Sequence, residues 1–182
     1  MARAYLLTGR PGAGKTTCLR KTLELLRLPA GGFLTDEIRE QGTRVGFSLV
    51  TLDGARAVLA HLNRPGRPRI GKYGVDLDTL TRIGVPAVRQ AAGQRRLVVI
   101  DEIGKMELAA PAFRDVVEEV LRSPVVVLGT ILMAPHPWAD RIKAHPAVRV
   151  VEVTPANRDS LPARLADLVS GRPTREGPPA AI

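Results

Sequence analysis

Residues Gly9 to Thr16 read Gly-Arg-Pro-Gly-Ala-Gly-Lys-Thr, a complete G-x-x-x-x-G-K-[ST] pattern. The pattern constrains the fold because of what flanks it. Arg3 to Thr8 is a short apolar run that suits a strand, and from about Lys15 to Arg27 the residues Leu19, Leu23 and Leu26 recur at helical spacing. Strand, glycine-rich turn and helix in that order form a cradle for phosphates. The glycines let the backbone curl tightly and turn its amide hydrogens inward, and the helix N-terminus adds partial positive charge. In such a loop Lys15 neutralises the β- and γ-phosphates and the Thr16 hydroxyl ligates Mg²⁺. The expected nucleotide-binding residues here are Gly9, Arg10, Pro11, Gly12, Ala13, Gly14, Lys15, Thr16 and Thr17.

A second signal lies at Leu97-Val98-Val99-Ile100-Asp101-Glu102. An apolar strand ending in an acid supplies the carboxylate that holds Mg²⁺, since ligands gather at the C-terminal ends of parallel strands. Asp101 takes that role beside Thr16. Glu102 stands where a general base would polarise an attacking water. Ile100, Ile103, Gly104 and Lys105 flank these acids and join the expected nucleotide site. Lys105 and Glu107 either face the phosphates or are surface charges. The adjacent acids separate the chain from GTP switches, in which a glutamine orients the water. The guanine-reading N-K-x-D is missing as well, Asn157-Arg158-Asp159 being the nearest text. Thr130, placed after a strand at Val125 to Leu128, bonds either the γ-phosphate and lytic water or the backbone. Asn157 and Arg158 follow the last core strand, where a base can rest; alternatively Thr154 and Asn157 cap the last helix.

The rest of the chain alternates mostly strand and helix, which predicts an α/β three-layer fold with a largely parallel sheet. Gly32 to Ile38 and Arg44 to Leu52 break the alternation as a hairpin turning at Gln41-Gly42, expected at one edge. Asn63 to Gly74 is rich in Gly, Pro and basic residues and reads as a loop. Asp76 to Ala92 reads as helix, broken near Gly84-Val85-Pro86. Phe113, Val116, Val117, Val120 and Leu121 mark an amphipathic helix with Pro111 in its first turn. Trp138 sits in a stretch read as a Pro/His-rich loop. Val148 to Val153 is a further strand, and Leu161, Leu165, Leu168 and Val169 line a last helix. Residues 1–170 are expected to form the domain and 171–182 a Pro/Gly-rich mobile tail.

Composition narrows the function classes. Net charge is +9, and Lys occurs only at 15, 21, 72, 105 and 143, so most of the positive charge is arginine. Such a surface attracts polyanions and leaves a nucleic-acid partner open, but aromatics make up only 3% of the chain, too few for a base-stacking platform. His61, His136 and His145 lack zinc-site spacing. The longest apolar run, Val125 to Ala134, is too short to span a bilayer and is interrupted by Gly129 and Thr130. The opening residues lack signal-peptide character, and the lone Cys18 fits a reducing cytoplasm. Three activities remain: hydrolysis of a triphosphate, phosphoryl transfer to a small acceptor beneath a lid carrying Arg64, Arg67, Arg69 and Lys72, and a nucleotide-gated nucleic-acid module.

The segments GRPGAGKTT (9–17) and VIDEIGKMEL (99–108) resemble the small P-loop nucleoside-triphosphatases of thermophilic prokaryotes and their eukaryotic relative, the cancer-related nucleoside-triphosphatase. The resemblance continues in GFLTD (32–36), RVGFSLVTLDG (44–54), IGKYGVD (70–76) and VTPANR (153–158), leaving only the C-terminal tail uncovered. DEIGKMEL is specific to that family, whereas the loop is shared with many others. The resemblance implies slow, Mg²⁺-dependent hydrolysis of several nucleoside triphosphates to diphosphate and phosphate, with little choice among bases. It assigns Lys15, Thr16, Asp101 and Glu102 the roles given above.

Overall fold

The computed structural model describes residues 2–94 and 96–172. The first strand, β1 (Ala4–Thr8), is buried at every position, as a continuous apolar run between two covered faces must be. It leads through the glycine loop into α1 (Lys15–Leu26). Next come β2 (Ala30–Glu40) and β3 (Thr43–Thr51), joined by Gln41 and Gly42, both at positive φ, the two-residue turn that suits a twisted hairpin. The chain continues through β4 (Arg56–His61), β5 (Arg69–Ile70) and β6 (Tyr73–Val75). A helical stretch follows as α2 (Leu77–Thr79), a π turn at Leu80–Gly84 and α3 (Val85–Gly93). Asp76 caps it by accepting the amides of Asp78 and Thr79. Then come β7 (Leu97–Ile103), a 3₁₀ turn at Glu107–Ala109 and α4 (Pro111–Arg122). The described chain closes with β8 (Val127–Ile131), α5 (Pro137–Lys143), β9 (Val148–Glu152) and α6 (Leu161–Val169).

The nine strands among the described residues join one sheet in the order β5-β6-β4-β3-β2-β7-β8-β1-β9. The run from β2 to β9 is parallel, and β3, β4, β6 and β5 extend it as an antiparallel wing. Helices cover both faces of the parallel part. On one face α3, α4 and α5 bury Val88, Phe113, Val116, Val120 and Ile142 in one apolar cluster, with Phe33 of β2 tilted against Phe113 at 6.1 Å. On the other, α1 and α6 bury Leu19, Leu161 and Leu165. Each fully buried large apolar side chain is worth roughly 1.5–3 kcal/mol. This rigid slab fixes where the strand ends lie.

The α/β class and the parallel core match the expectation, and the wing is larger than the hairpin foreseen. Asn63 to Gly74 is a loop only in part, because Arg69–Ile70 pairs with Tyr73–Val75. β4 escaped notice because its face pattern is irregular. A bulge at Phe47/Ser48 leaves Val58 45% exposed while Leu59 and Ala60 are buried. The helix after Asp76 is not broken at Gly84-Val85-Pro86. The π turn carries it through, and Pro86 follows directly after that turn, where the regular α-helical hydrogen-bond ladder is already interrupted. Trp138 lies in α5 rather than a loop. His136 caps this helix by accepting the Ala139 amide, and Trp138, Ala139 and Ile142 are buried, but seven residues are too few for a clear periodicity. The expected tail lies, from residue 173 onward, outside the described residues.

Candidate nucleotide-binding and catalytic site

The glycine loop has the backbone its sequence requires. Gly9, Gly12 and Gly14 have φ of 149°, 78° and 98°, a region costly for side-chain-bearing residues, and a Cβ at Gly9 would lie 2.7 Å from the Val153 carbonyl oxygen. Gly14 opens α1 without a side-chain cap, so the first amide hydrogens of the helix stay available to a ligand. Lys15 folds back over the loop, its Nζ donating to the Gly9 carbonyl at 3.3 Å. The loop lines a cavity of about 540 Å³, room enough for the phosphates and part of a nucleoside.

Asp101 lies within β7 and is fully buried. Its two carboxylate oxygens are held from opposite sides. The Thr16 hydroxyl donates to Oδ2 at 2.9 Å and the Thr130 hydroxyl donates to Oδ1 at 2.6 Å. β8 runs parallel beside β7, with Ile100 opposite Gly129, and this register brings Thr130 to Asp101. Thr130 is therefore inside its strand rather than beyond it. Burial raises the Asp101 carboxyl above its usual range, while the hydroxyls of Thr130 and Thr16 and the Thr35 amide work against that rise. Thr16 and Asp101 together offer two adjacent hard oxygen donors at the mouth of the loop. That donor set fits Mg²⁺, which takes one or two protein oxygens and completes its shell with water and phosphate oxygens.

Glu102 is partly buried and lines the phosphate cavity. Burial raises its carboxyl above the usual range; the Lys15 charge lowers it and Asp101 raises it further. A raised carboxyl is a better proton acceptor once ionised, which suits a base acting near neutral pH. Glu107 is neither a phosphate contact nor a surface charge. Its buried carboxyl is pushed up to about 8 by desolvation, and it accepts the Gly104 amide at 3.2 Å. A Cβ on Gly104 would lie 3.0 Å from Glu107 Oε2 and 3.1 Å from Glu102 Oε1. A side chain there would push both carboxylates aside by a few tenths of an ångström.

Other expected residues fall in different places. Thr17 lines the cavity, whereas Arg10 is exposed. Ile100 and Ile103 were grouped with the nucleotide site, but their side chains are 0% and 1% exposed and belong to the apolar core. They hold the acid-bearing strand in the slab. Lys105 is exposed, on the turn that follows Gly104. The amide side chain of Asn157 is used locally: Oδ1 accepts the Thr154 amide at 2.9 Å and Nδ2 donates to the Glu152 carbonyl at 2.8 Å. Asn157 thus braces the turn after β9. Arg158 lies close to the loop, its Cδ 3.9 Å from where a Gly14 Cβ would stand. Arg64 of the expected lid pairs with Asp76 at 2.8 Å, and Arg69 donates to the backbone carbonyls of Arg64 and Lys72.

The structure adds residues that motif reading missed. Arg20, Thr35, Asp36, Arg44 and Phe47 also line the phosphate cavity, brought there by α1 and the β2–β3 hairpin. Arg20 pairs with Asp36. Arg44 pairs with Glu37 at 2.8 Å, donates to the Tyr73 hydroxyl at 3.1 Å and lies 5.1 Å above the Phe47 ring. For Thr35, Asp36, Arg44 and Phe47 the signal was present in GFLTD and RVGF, which carried a resemblance but no chemistry readable from local spacing.

A family model described as NTPase matches residues 4–166. The chain is 48% identical over 156 residues to nucleoside-triphosphatase THEP1 of Thermotoga petrophila, covering 86% of this chain and 87% of that protein. It is 40% identical over 187 residues to the human cancer-related nucleoside-triphosphatase, covering 93% and 96% respectively. Among solved structures, the crystal structure of THEP1 from the hyperthermophile Aquifex aeolicus superposes with a TM-score of 0.83 at 34% identity, covering 91% of this chain and 98% of that one.

Proposed function

The chain belongs to the NTPase family, a hydrolase of nucleoside triphosphates, and on that premise we propose that it works with Mg²⁺, slowly and with weak preference among bases. The observation that carries this reading is the hydrogen-bonded row Thr16–Asp101–Thr130 beside Glu102 at the mouth of the loop. The loop amides and Lys15 bind the β- and γ-phosphates. Thr16 and Asp101 hold Mg²⁺, which when bound neutralises charge on the phosphate oxygens. Thr130 fixes the Asp101 carboxylate so that its other oxygen stays aimed at the loop. Glu102 accepts the proton of the water that attacks the γ-phosphorus, and the diphosphate leaves with its bridging oxygen.

Arg20 and Arg44 are the cations nearest to completing neutralisation of transition-state charge. Each is already tied to an acid, Asp36 and Glu37 respectively, so charge compensation is partial and turnover falls well below about 10 s⁻¹. Arg158 beside Gly14 touches the base or sugar, with Asn157 bracing its turn. No helix among the described residues is long and apolar enough to cross a membrane. A cytoplasmic setting accords with the buried, unpaired Cys18. The test is phosphate release from ATP, GTP, CTP and UTP, with and without Mg²⁺ and with and without RNA or DNA. Release that needs Mg²⁺ and ignores nucleic acid is expected. Release that is unaffected by removing Mg²⁺, or that needs nucleic acid, contradicts the reading.

A further inference from the structure

A second cavity, of about 200 Å³, opens on the other side of Glu102. Phe47, Leu59, Ile70 and Met106 give it an apolar lining, with Lys105 and the buried Glu107 beside them. Thr35, Phe47 and Glu102 line both this cavity and the phosphate cavity, so the two meet at the carboxylate. The lining is assembled from β2, β3, β4, β5 and the turn after β7. Attack by water uses none of Leu59, Ile70 or Met106. An apolar chamber opening onto a proton-accepting carboxylate is the environment an organic nucleophile requires, because the walls desolvate its carbon skeleton and the carboxylate orients its hydroxyl.

We propose that this cavity is an acceptor subsite for a small alcohol built on a single apolar ring, and that the protein passes the γ-phosphoryl group to that hydroxyl as well as to water. The proposal rests on the placement of the γ-phosphate and Glu102 given above. Its volume sets the size of the guest, since drug-sized ligands fill roughly 300–1,000 Å³ and this chamber is smaller. The side chains set its character. Phe47 offers an aromatic surface and Met106 an adaptable thioether, both suited to a flat ring. In the transfer, the alcohol oxygen forms a bond to the γ-phosphorus as the bond from that phosphorus to the β–γ bridging oxygen breaks. The electron pair leaves with the nucleoside diphosphate, the hydroxyl proton passes to Glu102, and the product is a phosphomonoester. Glu107 is a positioning residue: by accepting the Gly104 amide it fixes the turn that carries Lys105 and Met106 along the chamber.

The full chain is mixed with ATP, Mg²⁺ and a library of single-ring alcohols. Products are followed by phosphorus NMR, and side-chain carbon–proton NMR reports on the chamber. At least one alcohol is expected to shift the Leu59, Ile70 and Met106 methyl signals, to yield a phosphomonoester and to raise diphosphate release about threefold. Ile70→Trp, which fills the chamber, should abolish both the shifts and the ester. Met106→Trp at a half-buried position is the second block, and retained nucleotide binding shows that each variant is folded. Inorganic phosphate as the sole product with every alcohol overturns the subsite and leaves the hydrolase standing. Ester formation undiminished in both folded variants also overturns it. Ester without any phosphate release to water supports the subsite and removes the hydrolase; neither product removes both.

Discussion

The Thr130 hydroxyl donates a 2.6 Å hydrogen bond to Asp101 Oδ1, joining two neighbouring parallel strands at the point where the second oxygen of the same carboxylate accepts from Thr16. Thr130→Val keeps the shape and removes the donor, leaving a fully buried carboxylate oxygen with one partner fewer. The expected loss is about 1–3 kcal/mol in urea unfolding. The Mg²⁺ concentration for half-maximal phosphate release should rise as well. An unchanged unfolding midpoint would mean that Thr130 does not hold the carboxylate.

Glu102 and Asp101 are adjacent, and their substitutions should fail in different ways. Glu102→Gln keeps reach and shape but loses basicity, so nucleotide and Mg²⁺ still bind while single-turnover phosphate release falls by about 10²–10⁴. Asp101→Asn should weaken the Mg²⁺ dependence itself along with turnover. Lys15→Ala removes the phosphate-facing charge and abolishes hydrolysis. Equilibrium binding measured beside single-turnover release separates the three. Full release by Glu102→Gln takes that residue out of the mechanism.

Base selectivity should be weak. Asn157 spends its side chain on Thr154 and Glu152, so Arg158 is the nearer candidate to reach the nucleoside, and a guanidinium stacked on a base face meets the same kind of π surface on every base. Turnover with ATP, GTP, CTP and UTP should agree within about a hundredfold, roughly 2.7 kcal/mol. Arg158→Ala should raise KM for all four together. A change confined to one base would mark a specific reader instead.

Stability should depend on pH through Glu107. An unfolded glutamate titrates near 4.5, whereas burial pushes Glu107 up to about 8 in the fold. Between those values the folded chain keeps a proton that the unfolded chain has released. The stability contributed by the neutral carboxyl is therefore full below the unfolded value and is lost as pH rises toward 8. Glu107→Gln stays neutral throughout, so its unfolding free energy should fall less steeply over this window, by up to roughly 5 kcal/mol in total. Asp101 and Glu102, both also raised by burial, add slope of the same sign. Parallel urea-unfolding profiles from pH 5 to 8.5 would show that Glu107 is already charged in the fold.

Much of the centre was legible in the sequence because it is written locally. The loop, α1 and the acids of β7 each follow from residues within a dozen positions of one another, and the structure brings them together through the Thr16–Asp101 contact. Thr130 was picked out from its strand, but its partner was not, since that depends on the register of β8 against β7. Arg20, Arg44 and Phe47 were invisible as site residues for the same reason. Arg44 and Phe47 reach the cavity through the pairing of β2 with both β3 and β7, while Arg20 lies on α1, one turn past Thr16, and its partner Asp36 comes from β2. Glu107 was read as either phosphate-facing or a surface charge because sequence spacing does not reveal that the turn after Gly104 folds inward.

The position of β1 has a consequence for how the protein is made. Its two neighbours in the sheet are β8 and β9, which begin at Val127 and Val148, so the strand that carries the phosphate loop is synthesised more than a hundred residues before either strand that flanks it. The hairpin of β2 and β3 closes across two residues and needs nothing from the far end of the chain. A nascent chain stalled on the ribosome before Val127 therefore holds an early-forming wing and a glycine-rich sequence whose strand has both edges bare. During synthesis the sheet beneath the nucleotide site stays incomplete until β8 takes its place between β7 and β1.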